Sequence, residues 1–196
     1  MAATTDGLTS CVGYASTMIV ICGALPTEPG RPGMAQAIAT VAARAGDAVQ
    51  VIGIVADGPE GDRLLLGLAE AGVGHAAVLR TLDRPMEQAD ITLGLSYLPD
   101  VAVVIAADLA PDLLGAATDG AAFAGAALVV LRADDEDEPA ATDIRDAATV
   151  LVAPRTDPDG TFAGFVAAFA GRLDAGDVPA DAWAKTLQTL AVDPVR

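Results

Sequence analysis

The sequence predicts an α/β protein, a three-layer α/β/α sandwich around a mostly parallel sheet, and three observations carry that expectation. Val49 to Val55 and Val101 to Ala106 are continuous apolar runs of strand length, the pattern of strands covered on both faces. Such runs alternate with helix-length stretches that open near Pro or Gly and stop at Gly, so strand and helix take turns along the chain. Although 53% of the 196 residues are hydrophobic, only 4% are aromatic, so the core must be built mostly from Ala, Val, Leu and Ile.

In chain order, residues 9 to 24 mix β-branched and small apolar residues and suit one or two strands. Pro26, Pro29, Gly30, Pro32 and Gly33 then break regular structure, and a helix is expected from Gly33 to Arg44, stopped by Gly46. Val49 to Val55 is a strand, and Pro59 suits the first turn of a helix that ends at Gly72. His75 to Leu79 is a short strand, whereas residues 81 to 97 receive no assignment. Val101 to Ala106 is a strand, Pro111 to Ala124 a helix and Ala127 to Leu131 a strand. An acidic loop leads to a strand over Thr149 to Ala153, followed by helices over Gly160 to Asp174 and Pro179 to Leu190. Trp183, Leu187 and Leu190 read as the seam along which the last helix docks. The length fits a single domain over residues 1 to 196, with no internal repeat.

The net charge of −16, with Lys185 as the only lysine, disfavours nucleic acid and anionic membranes, both of which need basic patches. The run Asp134-Asp135-Glu136-Asp137-Glu138 lacks the turn glycine and alternate spacing of a calcium loop and reads as a solvated loop. One histidine, His75, and two cysteines, Cys11 and Cys22, leave almost no room for a zinc site or a disulfide framework, so no metal site is expected. Cys11 and Cys22 are expected as small core residues or bystanders. The longest apolar stretch, Met18 to Leu25, is too short to cross a bilayer, and no basic segment followed by an apolar block opens the chain. A soluble, cytoplasmic protein is the expectation.

In a parallel sheet, ligands bind beyond the carboxyl ends of the strands. The loops expected there are Ser16 to Thr17, Ala56 to Gly61, Ala107 to Pro111 and Pro154 to Gly160. They put forward Ser16, Gln36, Asp57, Asp157 and Gly160 as ligand-binding positions, with an acidic wall of Asp57, Glu60, Asp108, Asp157 and Asp159. Asp57 has a structural role open to it in its turn, accepting backbone hydrogen bonds there and at the following helix start. No phosphate-binding P-loop and no dinucleotide fingerprint is present.

The stretch Thr156-Asp157-Pro158-Asp159-Gly160-Thr161-Phe162-Ala163-Gly164 precedes an Ala-rich amphipathic helix, and such loop-to-helix junctions bind anions. It resembles the Thr-Gly-Ala-Gly-Asp-x-Phe-x-Gly signature of the ribokinase (PfkB) carbohydrate kinases, keeping Thr156, Phe162 and Gly164. Asp157, Pro158 and Asp159 stand where that family has Gly, Ala and Gly, and Gly160 stands where it has the catalytic Asp. Gly53 to Gly72-Val73 is similar to the family's Gly-x-Val-Gly-Asp-Asp-x-x-Gly unit, and Leu25-Pro26-Thr27-Glu28-Pro29-Gly30 with Gly33-Met34-Ala35-Gln36-Ala37 to its Pro-x-Pro-Gly turn and Asn-bearing helix start. On this resemblance Met18 and Ala35 replace the sugar-gripping Asp and Asn, and lid elements are deleted between Gly30 and Gly33 and between Arg80 and Asp100.

The resemblance implies a ribokinase-like (Rossmann-like) sheet and leaves two functional readings. In the first, the chain is a truncated, degenerate kinase that acts as a small-molecule-binding or association module, with no cofactor. Shortening a sheet protein uncovers an edge or an apolar face, and homodimerisation is one way to cover it. In the second, it is an active kinase that uses ATP with Mg to phosphorylate a small-molecule hydroxyl, with Asp159 as the catalytic base. Against that second role, Asp159 lies just before the helix and is expected to cap it.

Overall fold

The central apolar runs pair side by side because each is buried on both faces and each backbone must find hydrogen-bond partners out of water. The structure, a computed structural model, describes residues 17–26, 33–81, 84–133 and 148–191. Among these residues the strands are β1 (Met18–Gly23), β2 (Val49–Ala56), β3 (Gly74–Thr81), β4 (Val101–Ala107), β5 (Ala127–Ala133) and β6 (Ala148–Ala153). They form one sheet in the order β3-β2-β1-β4-β5-β6, with every pair parallel. The helices are α1 (Met34–Ala45), α2 (Pro59–Glu70), α3 (Gln88–Tyr97), α4 (Pro111–Ala124), α5 (Thr161–Asp174) and α6 (Pro179–Ala191).

Alternate residues of each central strand enter opposite core layers. Ile19 and Ile21 of β1 pack with Ile38 of α1, Leu68 of α2 and Phe169 of α5, all fully buried. Val20 and Cys22 pack on the other face with Ile91 of α3 and Ala117 of α4. Burial pushes the Cys22 thiol up to about 12, so it remains an unreactive core thiol. Cys11 and the acidic run from Asp134 to Glu138 lie outside the described residues.

Three sequence expectations are corrected here. Residues 81 to 97, left unassigned, contain the end of β3 and the whole of α3. That helix was hidden because its buried positions, Ile91, Gly94 and Leu95, alternate with the exposed apolar Leu93 and Tyr97, which blurs the helical period. A Cβ on Gly94 would come within 2.8 Å of the Ile52 side chain, so glycine lets this helix approach β2 closely.

Second, β1 begins at Met18, so its carboxyl end is Gly23, and Thr17 stands at the amino edge of the sheet. Ser16 falls outside the described residues. Third, the buried seam of α6 is Ala182 and Thr186, one turn apart, whereas Leu187 and Leu190 are 47% and 45% exposed. Trp183 does dock, with its ring edge-on to Phe165 and Phe169 at 4.9 and 5.9 Å.

Candidate ligand site at the carboxyl edge of the sheet

The chain turns from β6 into α5 through Pro154 to Gly160, and the geometry of this turn follows from its residue types. Gly160 sits at φ 67°, a left-handed conformation in which glycine has no side-chain penalty, and its N–H donates to the Asp157 carbonyl at 3.2 Å. This turn folds the Asp157 side chain back over the helix start. The Phe162 N–H donates to Oδ1 of Asp157 at 3.1 Å, and the Ala163 N–H to Oδ2 at 2.8 Å. Asp157 thus occupies two of the donors that an anion at a helix start would use.

The sequence expectation that Asp159 caps this helix is therefore corrected: the cap is Asp157, and Asp159 lies exposed in the turn. The reason is the left-handed Gly160, which directs the chain so that the residue three before it, not the one adjacent, reaches the free N–H groups.

Asp57, at the end of β2, also has a partner other than the one expected. Its carboxylate lies 3.8 Å from Nε of Arg80 on the neighbouring β3, and Arg80 also pairs with Asp62. The N-cap of α2 is Gly58, which has no side-chain cap. Glu60 pairs with Arg63 at 2.7 Å. These carboxylates are spent on local ion pairs, and of the expected acidic wall only Asp108 lines the cavity described next.

Strand order reverses between β1 and β4, since β2 and β3 lie to one side and β5 and β6 to the other. Loops leaving a strand pair of this kind diverge and open a crevice. A cavity of about 560 Å³ stands there. The end of β1 supplies Gly23 to Pro26, the start of α1 supplies Gly33 to Ala35, and the end of β4 with the start of α4 supplies Ala107 to Ala110 and Leu113. Ile54 and the segment Arg84 to Met86 close its side. Gln36 is half-buried in α1 and does not line it; neither do Asp57, Asp157 or Gly160.

Two features shape the crevice. Gly23 permits the close approach of β1, β4 and α1, because a Cβ there would lie 2.8 Å from the Ala107 carbonyl oxygen and 2.9 Å from the Ala35 Cβ. Arg84 is clamped by Asp90, whose two oxygens accept from its guanidinium at 2.7 and 2.8 Å. Asp90 also accepts from the Glu87 N–H at 2.9 Å in a capping box that opens α3. The Arg84 hydrogen bond holds the Asp90 carboxyl below its usual value, and Asp90 in turn raises that of Arg84.

Sequence reasoning missed Gly23 to Pro26 and Arg84 to Met86 as site residues. The available signals were the glycine directly after a fully apolar run and the acidic pair Glu87 and Asp90 at capping-box spacing. The box is easily passed over because Glu stands where Ser or Thr is usual.

Among solved structures, the chain resembles the Arabidopsis thaliana ribokinase complexed with ribose and ATP at a TM-score of 0.66 and 11% identity, covering 87% of this chain and 90% of that one. It resembles the protein Sa239 at 0.65 and 14% identity, over 92% and 95% of the two chains. A putative ribokinase II from E. coli in complex with ATP and Mg2+ follows at 0.58 and 12%, over 87% and 90%. The fold is ribokinase-like. No protein-family model and no curated protein matches the chain.

Within the ribokinase-like fold, Met18 cannot stand at a ligand end, because it opens β1 at the amino edge of the sheet. Ala35, by contrast, does line the crevice. The proposed lid deletion between Gly30 and Gly33 falls largely on residues 27 to 32, outside the described ones, and α3 occupies the segment where the second lid was expected to be reduced to a short polar stretch. Among the described residues no group of three or more His, Cys, Asp or Glu side chains could hold a metal ion, and no helix is long and apolar enough to cross a membrane.

Proposed function

We propose that this protein keeps the ribokinase-like scaffold without efficient sugar-kinase chemistry and works as a small-molecule-binding or association module. The observation that carries the reading is the Asp157 carboxylate on the Phe162 and Ala163 N–H groups. Phosphoryl transfer depends on positioning and on stabilising charge at the transferred group. A phosphate brought to this turn would meet a carboxylate in place of free donors. Each like-charge contact at about 4 Å costs roughly 1 to 4 kcal/mol, depending on local dielectric. Pro158 has no N–H to offer in compensation.

ATP with Mg therefore does not fit this turn as it stands. The role of ligand carrier falls to the crevice between β1 and β4, which is large enough for a small molecule. Calorimetric titration with MgATP, followed by an ADP-release assay over a panel of sugars and nucleosides, tests the reading. The expected result is no saturable binding at the α5 turn and no substrate-dependent release. Substrate-dependent turnover abolished by Asp159→Asn would establish an active kinase with Asp159 as base.

A further inference from the structure

The crevice at the strand-order reversal differs in chemistry from a site for a polyhydroxylated substrate. We propose that it binds a compact, uncharged, mostly apolar molecule bearing a hydrogen-bond acceptor such as an amide or ketone carbonyl. The proposal rests on the small-molecule-binding reading above, and its own observations lie at the crevice, apart from the α5 turn.

Its walls are the apolar side chains of Leu25, Pro26, Ile54, Met86, Leu109 and Leu113. The volume of about 560 Å³ lies within the range of roughly 300 to 1,000 Å³ usual for small-molecule pockets. Among the described lining residues, only Arg84 and Asp108 carry charged side chains, and none is Ser, Thr, Asn, Gln, His or Lys. A polyol needs several side-chain partners, and each hydroxyl buried without one lowers affinity by about tenfold.

The donors that are present come from backbone. The starts of α1 and α4 both contribute to the lining, and their N-caps, Gly33 and Ala110, supply no side-chain hydrogen bond. The first-turn N–H groups of α1 suit a carbonyl oxygen, and α4, whose first position is Pro111 and so has no N–H, adds those that follow the proline. A full negative charge is disfavoured, because Arg84 is already clamped by Asp90 and the chain as a whole carries −16. Charge balance thus selects a neutral acceptor over an anion.

The test titrates the 15N-labelled full chain with benzamide, benzoate and ribose and follows its amide resonances. Benzamide is expected to give saturable shifts at Ala24, Met34, Ala35, Leu109 and Leu113, with an affinity about tenfold or more above that of ribose or benzoate. Ala24→Trp, at an exposed lining position, is expected to weaken benzamide by about tenfold by filling the crevice. Ala110→Trp, at the opposite wall and also exposed, makes the same test if the first variant does not fold. Tighter binding of ribose or benzoate in the crevice overturns the ligand class and leaves the small-molecule reading standing. Benzamide shifts confined to another surface overturn the site. No crevice shift from any of the three probes overturns the proposal, and with no ADP release it leaves only the association role.

Discussion

The start of α5 and the starts of α1 and α4 stand on the same carboxyl edge of the sheet, yet they differ in what meets their free N–H groups. At α5 a carboxylate from the preceding turn occupies Phe162 and Ala163; at α1 and α4 the N-caps are Gly33 and Ala110, and no side chain caps either. Each helix start carries orphan donors and the positive end of a dipole, with one donor fewer at α4, which opens on Pro111. The comparison teaches that ligand capacity at such an edge is set by the residues just before each helix, not by the fold that presents it. Here the edge position that resembles a kinase motif is closed by the chain itself, and the open space lies where the strand order reverses.

The comparison can be broken first by loosening the element that holds the closed turn in place. Phe169 is fully buried in α5, and its ring meets Trp183 of α6 edge-on. Phe169→Ala should lower unfolding stability by about 3 to 5 kcal/mol in urea titrations. A loss near zero would show that α5 is not anchored as described.

Next in size is the open crevice itself. Gly23→Ala places a methyl group 2.8 Å from the Ala107 carbonyl oxygen, so β1, β4 and α1 must separate. The expected cost is about 1 to 3 kcal/mol, read from the same titrations. The shifts induced by benzamide at Ala35 should change with it.

A smaller and more diagnostic effect is expected at the cap. Asp157→Ala removes the carboxylate from Phe162 and Ala163 and should cost about 0.5 to 2 kcal/mol. It should also expose both donors, so that inorganic phosphate raises the melting temperature of the variant but not of the parent protein. Equal responses of the two proteins would remove the distinction between closed and open helix starts.

The smallest effects concern pH. The Asp90 carboxyl is held below its usual value, chiefly by its hydrogen bond to Arg84, so its contribution to stability is present above the unfolded value and lost as pH falls through the folded one. Asp47, at the amino edge, is shifted the other way, first by burial and then by the charge of Asp174. Its contribution is full below the unfolded value and is lost as pH rises through the folded one. Denaturation midpoints across the acid range should therefore show Asp90→Asn removing part of the loss on acidification and Asp47→Asn removing part of the loss on raising pH. The same sign of change from both would contradict the assignment.

Much of the fold was legible in the residues. The apolar runs at Val49 to Val55 and Val101 to Ala106 and the stops at Gly46 and Gly72 place strands and helices within a few residues of their observed ends, because burial on two faces demands such runs wherever the sheet lies. Helix α3 escaped detection, since a helix resting on glycine at Gly94 with Leu93 and Tyr97 exposed presents no clean period. The site was less legible. Asp157 and Asp159 flank the same proline and carry the same charge, and nothing local distinguishes them.

Composition and periodicity by themselves determined that this chain forms a parallel sheet between two helical layers, with a core of small aliphatic side chains. Only the tertiary structure decided that Asp157 closes the α5 start and that the open cavity lies between β1 and β4. Strand and helix formation follow from patterns within some ten residues of chain. A cavity and a hydrogen-bonded cap depend instead on the path the backbone takes through turns such as Gly160, and on segments such as Gly23 and Arg84 that meet only when the sheet has assembled.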